Sequence, residues 1–326
     1  MKRGIVFIGM LLLLGRAGFA QQNAQYSQYM FNGIYINPAY AGYKEVLNIH
    51  GYYRTQWTGI EGAPRSFSVA ADGIANDGNV GLGVQVASDK QGAQSTQSIY
   101  ASYAYRLRMN EEGTARLSFG ISAGAVQLGI DGSMLHTLDP EFESPVGVQR
   151  TIVPDARAGI YYADERFYAG FSVDNLVSPY IGKSRFVYIP QPKQHFFLTA
   201  GMLLPLSEDI HLKPSFLLKD DLAGPTSLDL NAFLLFRDKI WLGGSYRTGV
   251  RLYEKGHLES TLRKGSAAVA AIEVFPVTGL RIGYAYDFTL GGLQSYSGGS
   301  HEVSIGFSLS GAGPNGSRQV SCPKYF

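Results

Sequence analysis

The stretch Tyr52–Trp57 carries the side chains best suited to bind another molecule. It reads Tyr-Tyr-Arg-Thr-Gln-Trp, and it places a guanidinium and an amide two residues apart. One interpretation is that Arg54 and Gln56, with the neighbouring Trp57, line a site for a segment of another protein. The alternative is structural: Arg54 is an inward-facing charge, and Tyr53 and Trp57 lie at a membrane interface. The residues leave both interpretations open.

The segment Gln21–Tyr43, called the leader below, is a second candidate for binding. It lacks strand alternation, yet it is rich in aromatic residues, whereas disordered leaders are poor in them. We therefore expect the leader to dock, either inside the protein or on a rim that faces a partner, and we predict that it fills part of the interior. Its candidate contact residues are Tyr29, Phe31, Asn37, Pro38 and Tyr40, the last three within a turn signal, Asn-Pro-Ala-Tyr-Ala-Gly.

Catalytic chemistry has little support in the sequence. The six histidines are scattered, and neither a His-Glu-x-x-His metal motif nor a Gly-x-Ser-x-Gly nucleophile motif occurs. We predict no catalytic residue, no cofactor and no metal site. A hydrolase whose serine, histidine and acid meet only in the folded chain is a third and weaker hypothesis. A net charge of +2 gives no global field that would favour nucleic acid.

The last hairpin, Leu280–Leu309, indicates the elements that position these residues. One face of its strands is apolar and partly aromatic, and the other carries glycine, serine and single charges. Since side chains alternate between the faces of a strand, this pattern is typical of lipid on one side and a polar lumen on the other. The apolar face comprises Leu280, Ile282, Tyr284, Tyr286, Phe288, Val303, Ile305, Phe307 and Leu309.

Similar runs predict an all-β fold, a transmembrane outer-membrane barrel of about fourteen antiparallel strands. The predicted connections alternate between longer and shorter, as outer loops and periplasmic turns do in such barrels. An even strand number puts both termini in the periplasm. Aromatic girdles are predicted from Trp57, Tyr100, Tyr161, Trp241 and Tyr284. The predicted strands are 45–57, 65–74, 78–89, 94–109, 114–130, 153–163, 166–175, 193–204, 209–219, 226–236, 239–248, 266–275, 279–289 and 300–309.

The ends of the chain complete the predicted organisation. Lys2 and Arg3 precede the apolar run Ile5–Leu14, and Gly18-Phe-Ala20 supplies the small residues of a signal-peptidase site. The predicted parts are a signal peptide, 1–20; an aromatic periplasmic or plug segment, 21–43; the barrel, 44–310; and a periplasmic tail, 311–326. Tyr325 and Phe326 at the end of the tail either reach a partner or fray. The single cysteine, Cys322, excludes an intrachain disulfide.

Four local patterns resemble the PorP/SprF family of type IX secretion system outer-membrane proteins. Together they bracket the chain, and the middle, residues 131–265, carries none of them. They are Gln25-Tyr-Ser-Gln-Tyr-Met-Phe-Asn32 with Asn37-Pro-Ala-Tyr-Ala-Gly42; Tyr53-Arg-Thr-Gln-Trp57 with Gly59-Ile-Glu-Gly-Ala-Pro64; Gly299-Ser-His-Glu302; and Ser321-Cys-Pro-Lys-Tyr-Phe326.

The resemblance implies a non-enzymatic barrel in the outer membrane of a Gram-negative bacterium, where it helps to place secreted adhesin or gliding proteins on the cell surface. It also implies periplasmic partners, such as an OmpA-like peptidoglycan-binding protein. In the mechanism that we expect, the loops Asp131–Ile152, Leu176–Pro192 and Gly249–Gly265 bind the C-terminal domain of a secreted protein. The leader and the tail reach the periplasmic partner, and lipid surrounds the barrel. The alternative function is a passive porin or solute channel.

Overall fold

A computed structural model describes residues 25–135, 147–181, 189, 192–255, 266–290 and 294–309. The predicted signal peptide and C-terminal tail, with Tyr325, Phe326 and Cys322, lie outside the described residues, as do parts of the three long loops. No helix in the described ranges is long and apolar enough to cross a membrane. Apart from short 3-10 turns, the assigned structure consists of strands.

Fifteen strand segments form one sheet. They are β1 Leu47–Thr55, β2 Arg65–Ala75, β3 Val80–Gln91, β4 Gln94–Arg108, β5 Arg116–Asp131, β6 Val148–Ala163, β7 Phe167–Asp174, β8 His195–Met202, β9 Leu204–Ser207, β10 Ile210–Asp220, β11 Thr226–Phe236, β12 Ile240–Val250, β13 Ser266–Val277, β14 Leu280–Leu290 and β15 Ser300–Leu309.

The sheet closes on itself. Every neighbouring pair is antiparallel; β15 pairs with β1 from Leu47↔Leu309 to Thr55↔His301, and β10 pairs with both β8 and β11. Since β8 and β9 both pair with β10 on the same side, they are two halves of one barrel strand, interrupted at Leu203. The prediction of a fourteen-stranded antiparallel barrel is therefore confirmed. Closure leaves no row of unpaired backbone groups to face lipid.

The strand bounds differ from the predicted ones in two informative places. The strand β6 begins at Val148, five residues before its predicted start, because the β5–β6 ladder continues to Asp131↔Val148.

The predicted alternation of longer and shorter connections also fails once. The connection between β3 and β4 shrinks to residues 92–93, whereas 109–115 separate β4 from β5. A tight turn at Gly92, with φ of 55°, permits this because glycine tolerates positive φ.

The two faces of the wall follow the predicted alternation. In β15, Val303, Ile305 and Phe307 are exposed on the outside, whereas Glu302 and Ser304 are buried inside. Three of the predicted girdle aromatics are wrong: Tyr100, Tyr161 and Trp241 are 1%, 4% and 2% exposed and lie in the interior. They occupy inward positions of their strands, where the leader and other lumen side chains cover them. Tyr284 faces outward, 41% exposed.

The outward face predicts how the barrel depends on lipid. Replacing Ile305 near the middle of β15 with arginine should lower the free energy of unfolding by about 2–4 kcal/mol, because a cation then lies in the hydrocarbon. The control is Val277→Arg at the end of β13, also outward and 61% exposed, where we expect about 0–1 kcal/mol. Urea unfolding in phospholipid vesicles measures both. Equal losses for the two variants would contradict the assignment of the outer face to lipid.

Candidate functional site inside the barrel

Residues 25–43 of the leader lie inside the barrel as a chain of short 3-10 turns. The turns are Tyr29–Phe31, Gly33–Tyr35 and Pro38–Tyr40. The Asn37 side chain accepts a hydrogen bond from the Ala39 N–H at 2.9 Å, and Pro38 follows as the first residue of the turn. Asparagine before proline is a local start signal for a helical turn, which explains why this sequence bends rather than extending as a strand.

The leader runs along the barrel axis. We call the end of the barrel that carries the connections 56–64, 132–147, 175–194 and 251–265 the long-loop rim, and the opposite end the short-turn rim. Ser27 and Gln28 lie beside Glu302, close to the long-loop rim. Ala41 and Gly42 approach Gly81 at the start of β3, close to the short-turn rim. The described chain thus enters β1 from the short-turn rim after crossing much of the lumen.

A buried ion cluster binds the start of the leader. The carboxylate of Glu302 accepts the backbone N–H groups of Ser27 and Gln28 at 2.7 and 2.8 Å. Arg54 lies between two acids, with its Nη2 2.7 Å from Asp287 Oδ2 and its Nη1 3.2 Å from Glu302 Oε2. These three charged side chains are at most 4% exposed. Buried charges are costly unless they are paired and hydrogen-bonded, so the leader completes the solvation of the cluster.

Two lysines bind backbone carbonyls of the first turn. Lys213 Nζ donates to Met30 O at 2.8 Å, and Lys44 Nζ donates to Phe31 O at 3.1 Å. The Lys213 ammonium also lies 5.6 Å from the centre of the Trp241 ring, within the range of a cation–π contact. Burial raises the pKa of the Tyr29 phenol well above its ordinary value, and the carboxylate of Asp229 adds to this effect. Tyr29 therefore stays neutral.

Glycines of the wall admit the end of the leader. A Cβ at Gly120 would overlap the backbone of Ala39, and one at Gly81 would overlap the carbonyl of Ala41. Strand glycines commonly mark places where another backbone comes close. Asn37 Nδ2 also donates to the carbonyl of Ile160 at 3.0 Å. Side-chain to main-chain bonds of this kind fix the register of the leader against the wall.

A cavity of about 190 Å³ lies between the leader and the long-loop rim. Its floor includes Tyr26, Tyr29 and Tyr35 of the leader. Its walls come from the rim ends of β3, β4 and β5 on one side and of β7, β8 and β10 on the other. The arrangement is a cup that opens toward the long connections.

The long connections are tied to the barrel at their bases. Asp155 of β6 accepts the N–H groups of Val177 and Ser178 at 3.2 and 2.9 Å, and its other oxygen accepts the Tyr100 hydroxyl at 2.7 Å. Across the rim, Lys255 after β12 contacts both oxygens of Asp220, the last residue of β10, at 2.9 and 3.0 Å. The walls of the cup are therefore braced by buried polar contacts.

The structure places the predicted contact residues in three groups. Tyr29, Phe31, Asn37, Pro38 and Tyr40 are buried in the lumen. Arg54 is in the ion cluster. Gln56 and Trp57 are partly buried in the connection after β1, where Gln56 N donates to Pro64 O at 2.9 Å and Trp57 N to Ser300 Oγ at 3.2 Å. Their role as partner contacts stays a prediction.

Sequence reasoning missed the residues of the barrel that bind the leader. Lys213, Asp287 and Glu302 make these contacts, the two acids with Ser27 and Gln28 of the leader, which were also not among the predicted contact residues. The signal was present in all three: each of Lys213, Asp287 and Glu302 is a charge at an inward position of a strand. Such a charge in a barrel wall needs an interior partner. Among the described residues, no group of His, Cys, Asp and Glu could hold a metal ion.

The family is decided by a match that covers most of the chain. The model of the type IX secretion system membrane protein PorP/SprF matches residues 18–307. The chain belongs to the PorP/SprF family. The resemblance recognised in the four motifs is thereby confirmed, and with it the assignment to the outer membrane and to type IX secretion. Family and fold are those of a secretion or transport membrane protein.

Solved barrels give a more distant likeness, and no curated protein matches the chain. The outer membrane protein Omp33 of Acinetobacter baumannii is 8% identical with a TM-score of 0.44, covering 82% of this PorP/SprF chain and 100% of its own. The monoaromatic hydrocarbon channel CymD is 14% identical with a TM-score of 0.46, covering 91% and 96%. A Pseudomonas aeruginosa FadL homologue is 11% identical with a TM-score of 0.43, covering 90% and 95%.

The ion cluster predicts a large loss of stability on removal of its cation. Replacing Arg54 with methionine leaves two buried carboxylates without their main partner, and we expect the free energy of unfolding to fall by about 3–5 kcal/mol. The control is Arg237→Met, which removes an ion pair to Asp209 whose side chains are 76% and 61% exposed. We expect that control to change stability by less than about 1 kcal/mol. Similar losses in urea unfolding would contradict a special role for Arg54.

Proposed function

We propose that this outer-membrane protein anchors exported surface proteins, of the adhesin or gliding type, at the outer face of the membrane during type IX secretion. The supporting observation is the shape of the lumen: the leader lies across its middle, and the cup above it opens toward the long connections. A cup with the leader as its floor suits retention of a bound segment better than passage of solutes. The exported protein would contact the barrel through its C-terminal domain.

The long-loop rim is the proposed contact surface. The connections 132–147, 175–194 and 251–265 supply it. The bases of the last two are fixed, because Asp155 accepts the N–H groups of Val177 and Ser178 and Lys255 binds Asp220. A braced platform lowers the entropy that a partner must lose on binding. Gln56 and Trp57 in the connection 56–64 lie on the same rim and extend this surface.

The short-turn rim is the proposed periplasmic side. Here Glu45, just before β1, pairs with Arg106 and Arg116, each at 3.0 Å. These pairs fix the point at which the leader joins the wall. In our proposal this rim and the tail, through Tyr325 and Phe326, bind a periplasmic peptidoglycan-binding protein of the OmpA-like type or another type IX component. Both termini of the barrel would then face the periplasm.

Replacement of the three long loops tests the anchoring proposal. With each loop shortened to a two-residue turn, the barrel should still fold, and exported surface proteins should move from the cell envelope into the medium. Mass spectrometry of both fractions measures the shift. The control replaces the short turn after β13 with another turn of the same length. Retention of the exported proteins on cells with the triple replacement would refute the role of the loops.

Conductance distinguishes the anchoring proposal from the alternative of a passive porin, which predicts that the intact protein conducts ions freely. If the leader seals the lumen, the intact protein should give no steady ion current in planar bilayers, and deletion of Gln21–Tyr43 should open one. Gly120→Ala is a milder variant, because its Cβ displaces Ala39 of the leader, and it should also raise the current. Gly73→Ala is the control, since its Cβ meets other atoms only at 3.7 Å and beyond. Free conduction by the intact protein would favour a porin.

A further inference from the structure

Three cations near the long-loop rim lie in one row on the outer face of the wall. Arg65 opposes Lys90 in the ladder of β2 and β3, and the row continues through Ser95 of β4 and Gly129 of β5 to Arg150 of β6. We call these five residues the basic row. Its three cations are exposed. They lie on the same side of their strands as the exposed apolar residues that face lipid.

The register fixes the spacing of the basic row. Neighbouring strands are about 4.8 Å apart, so Arg65 and Lys90 are adjacent. Arg150 is three strands away from Lys90, a distance of about 14 Å between backbones. A Cβ at Gly129 would meet Ser95 Oγ and Arg150 Cγ at 2.6 and 3.4 Å. The stem of Arg150 therefore lies against the glycine, on the side of the two other cations.

The cations of the basic row have no counterion in the wall. Among the described residues, Arg65, Lys90 and Arg150 form no ion pair. Asp131, two residues beyond Gly129 in β5, accepts the N–H and the hydroxyl of Ser133 at 3.1 and 2.6 Å. Exposed cations without an internal partner attract anionic ligands, and both arginine and lysine bind phosphate well.

The basic row is confined to one sector of the barrel. In the described strands other than β2, β3 and β6, no outward position near the long-loop rim carries lysine or arginine. A general attraction to the membrane surface would place cations all around the rim, so their restriction to one sector indicates a specific ligand. Outward residues of the other strands near this rim include Val173, Phe196, Leu218, Leu228, Tyr246 and Phe288.

From the basic row toward the middle of the barrel, the outer face becomes apolar in two steps. The next outward row contains Ser88, Gln97 and Gln127, and the Gln127 amide donates to Gln97 Oε1 at 3.5 Å. The following row contains Val86 and Ile99, which are 45% and 52% exposed. Cations, hydrogen-bonding groups and apolar groups thus follow one another in the order of the phosphates, sugars and acyl chains of a phosphorylated glycolipid.

We propose that the basic row binds the phosphate groups of lipopolysaccharide in the outer leaflet. The lipid A part of this glycolipid carries its phosphates on a pair of sugars, which is broader than the headgroup of one phospholipid. The separation of about 14 Å between Lys90 and Arg150 suits such a headgroup. One phosphate contacts Arg65 and Lys90, and the other contacts Arg150. The inference rests on the proposed function for its orientation, in which the long-loop rim faces outward.

Native mass spectrometry of the full-length protein tests the proposal. The protein is refolded without lipid in tetraethylene glycol monooctyl ether and is titrated with lipid A that carries two phosphates. The comparison lipids are lipid A without phosphates and phosphatidylglycerol, an anionic phospholipid. We expect saturable binding of the phosphorylated lipid A, and binding about tenfold weaker or less for the two comparison lipids.

Two triple variants assign the binding to the basic row. The first removes its cations by Arg65→Gln, Lys90→Gln and Arg150→Gln. The control removes three exposed cations near the short-turn rim by Arg108→Gln, Arg166→Gln and Arg237→Gln. One cation at an anionic membrane surface strengthens binding about fivefold. The first variant should therefore bind lipid A more weakly by about tenfold or more, whereas the control should bind it as the unmodified protein does.

Folding of both variants is verified by the slower migration of the unfolded, boiled form on a gel. Absence of lipid A binding, equal binding of lipid A without phosphates, or a preference for phosphatidylglycerol would overturn the proposal. Equal losses in the two triple variants would overturn it as well.

Labelling of intact cells tests the orientation separately. Glu61→Cys, in a chain that also carries Cys322→Ser, places a thiol in the connection 56–64, where Glu61 is exposed. Reaction with a membrane-impermeant maleimide on intact cells supports the outward orientation of the long-loop rim. If lipid A binding is then absent, the lipid inference alone fails. Labelling only after lysis would overturn the orientation, and with it both the lipid inference and the proposed function.

Discussion

The structure depends on one constraint: charges inside a barrel wall must be satisfied without bulk water. Arg54, Asp287 and Glu302 face the lumen from three neighbouring strands and are almost fully buried. The two carboxylates have more acceptor sites than Arg54 alone can fill with its N–H donors. The backbone N–H groups of Ser27 and Gln28 donate to Glu302, and the Ser27 hydroxyl donates to Asp287. Since unpaired buried charges cost several kcal/mol, the wall and the leader are stable mainly as a unit. The leader is thus part of the fold rather than an appendage.

The same arrangement makes the lumen asymmetric. Near the short-turn rim, glycines such as Gly81 and Gly120 let the leader backbone contact the wall directly. Toward the long-loop rim, Tyr26 and Tyr35 form the floor of the open cup. A barrel of fourteen strands encloses more space than its own side chains fill. Here one end of that space is occupied by the chain itself, and the other is left for a ligand or partner on the side of the long connections.

The wall was predictable from sequence because its signal is local. Alternation along β15 identifies Val303, Ile305 and Phe307 as outward and Glu302 as inward, and the structure agrees. The prediction was wrong for Tyr100, Tyr161 and Trp241. Their aromatic side chains suggested a membrane interface, but they occupy inward positions of their strands, and this position places them in the lumen. The first residues of β6, Val148–Ile152, were not predicted as strand. Their residue types resemble a loop, and only their pairing with the end of β5 identifies them as strand.

The path of the leader was not predictable in the same way. Its 3-10 turns have no period that identifies the partner of each side chain, and its contacts join residues far apart in sequence, such as Met30 with Lys213. The aromatic content indicated docking, and part of the lumen was the predicted place for it, but neither the path nor the contacts of the leader could be predicted. Charges at inward positions carried the missing information, because each requires a partner that the strand alternation does not supply.

Hydrogen exchange of the intact protein in lipid tests the central claim that the leader is an integral part of the barrel interior. The account predicts that the amides of Ser27, Gln28, Ala39 and Ala41 exchange as slowly as those of the adjoining strands, since each is buried and hydrogen-bonded. Exchange of these amides within seconds, while the strands stay protected, would show a leader that leaves the lumen freely and would contradict the account.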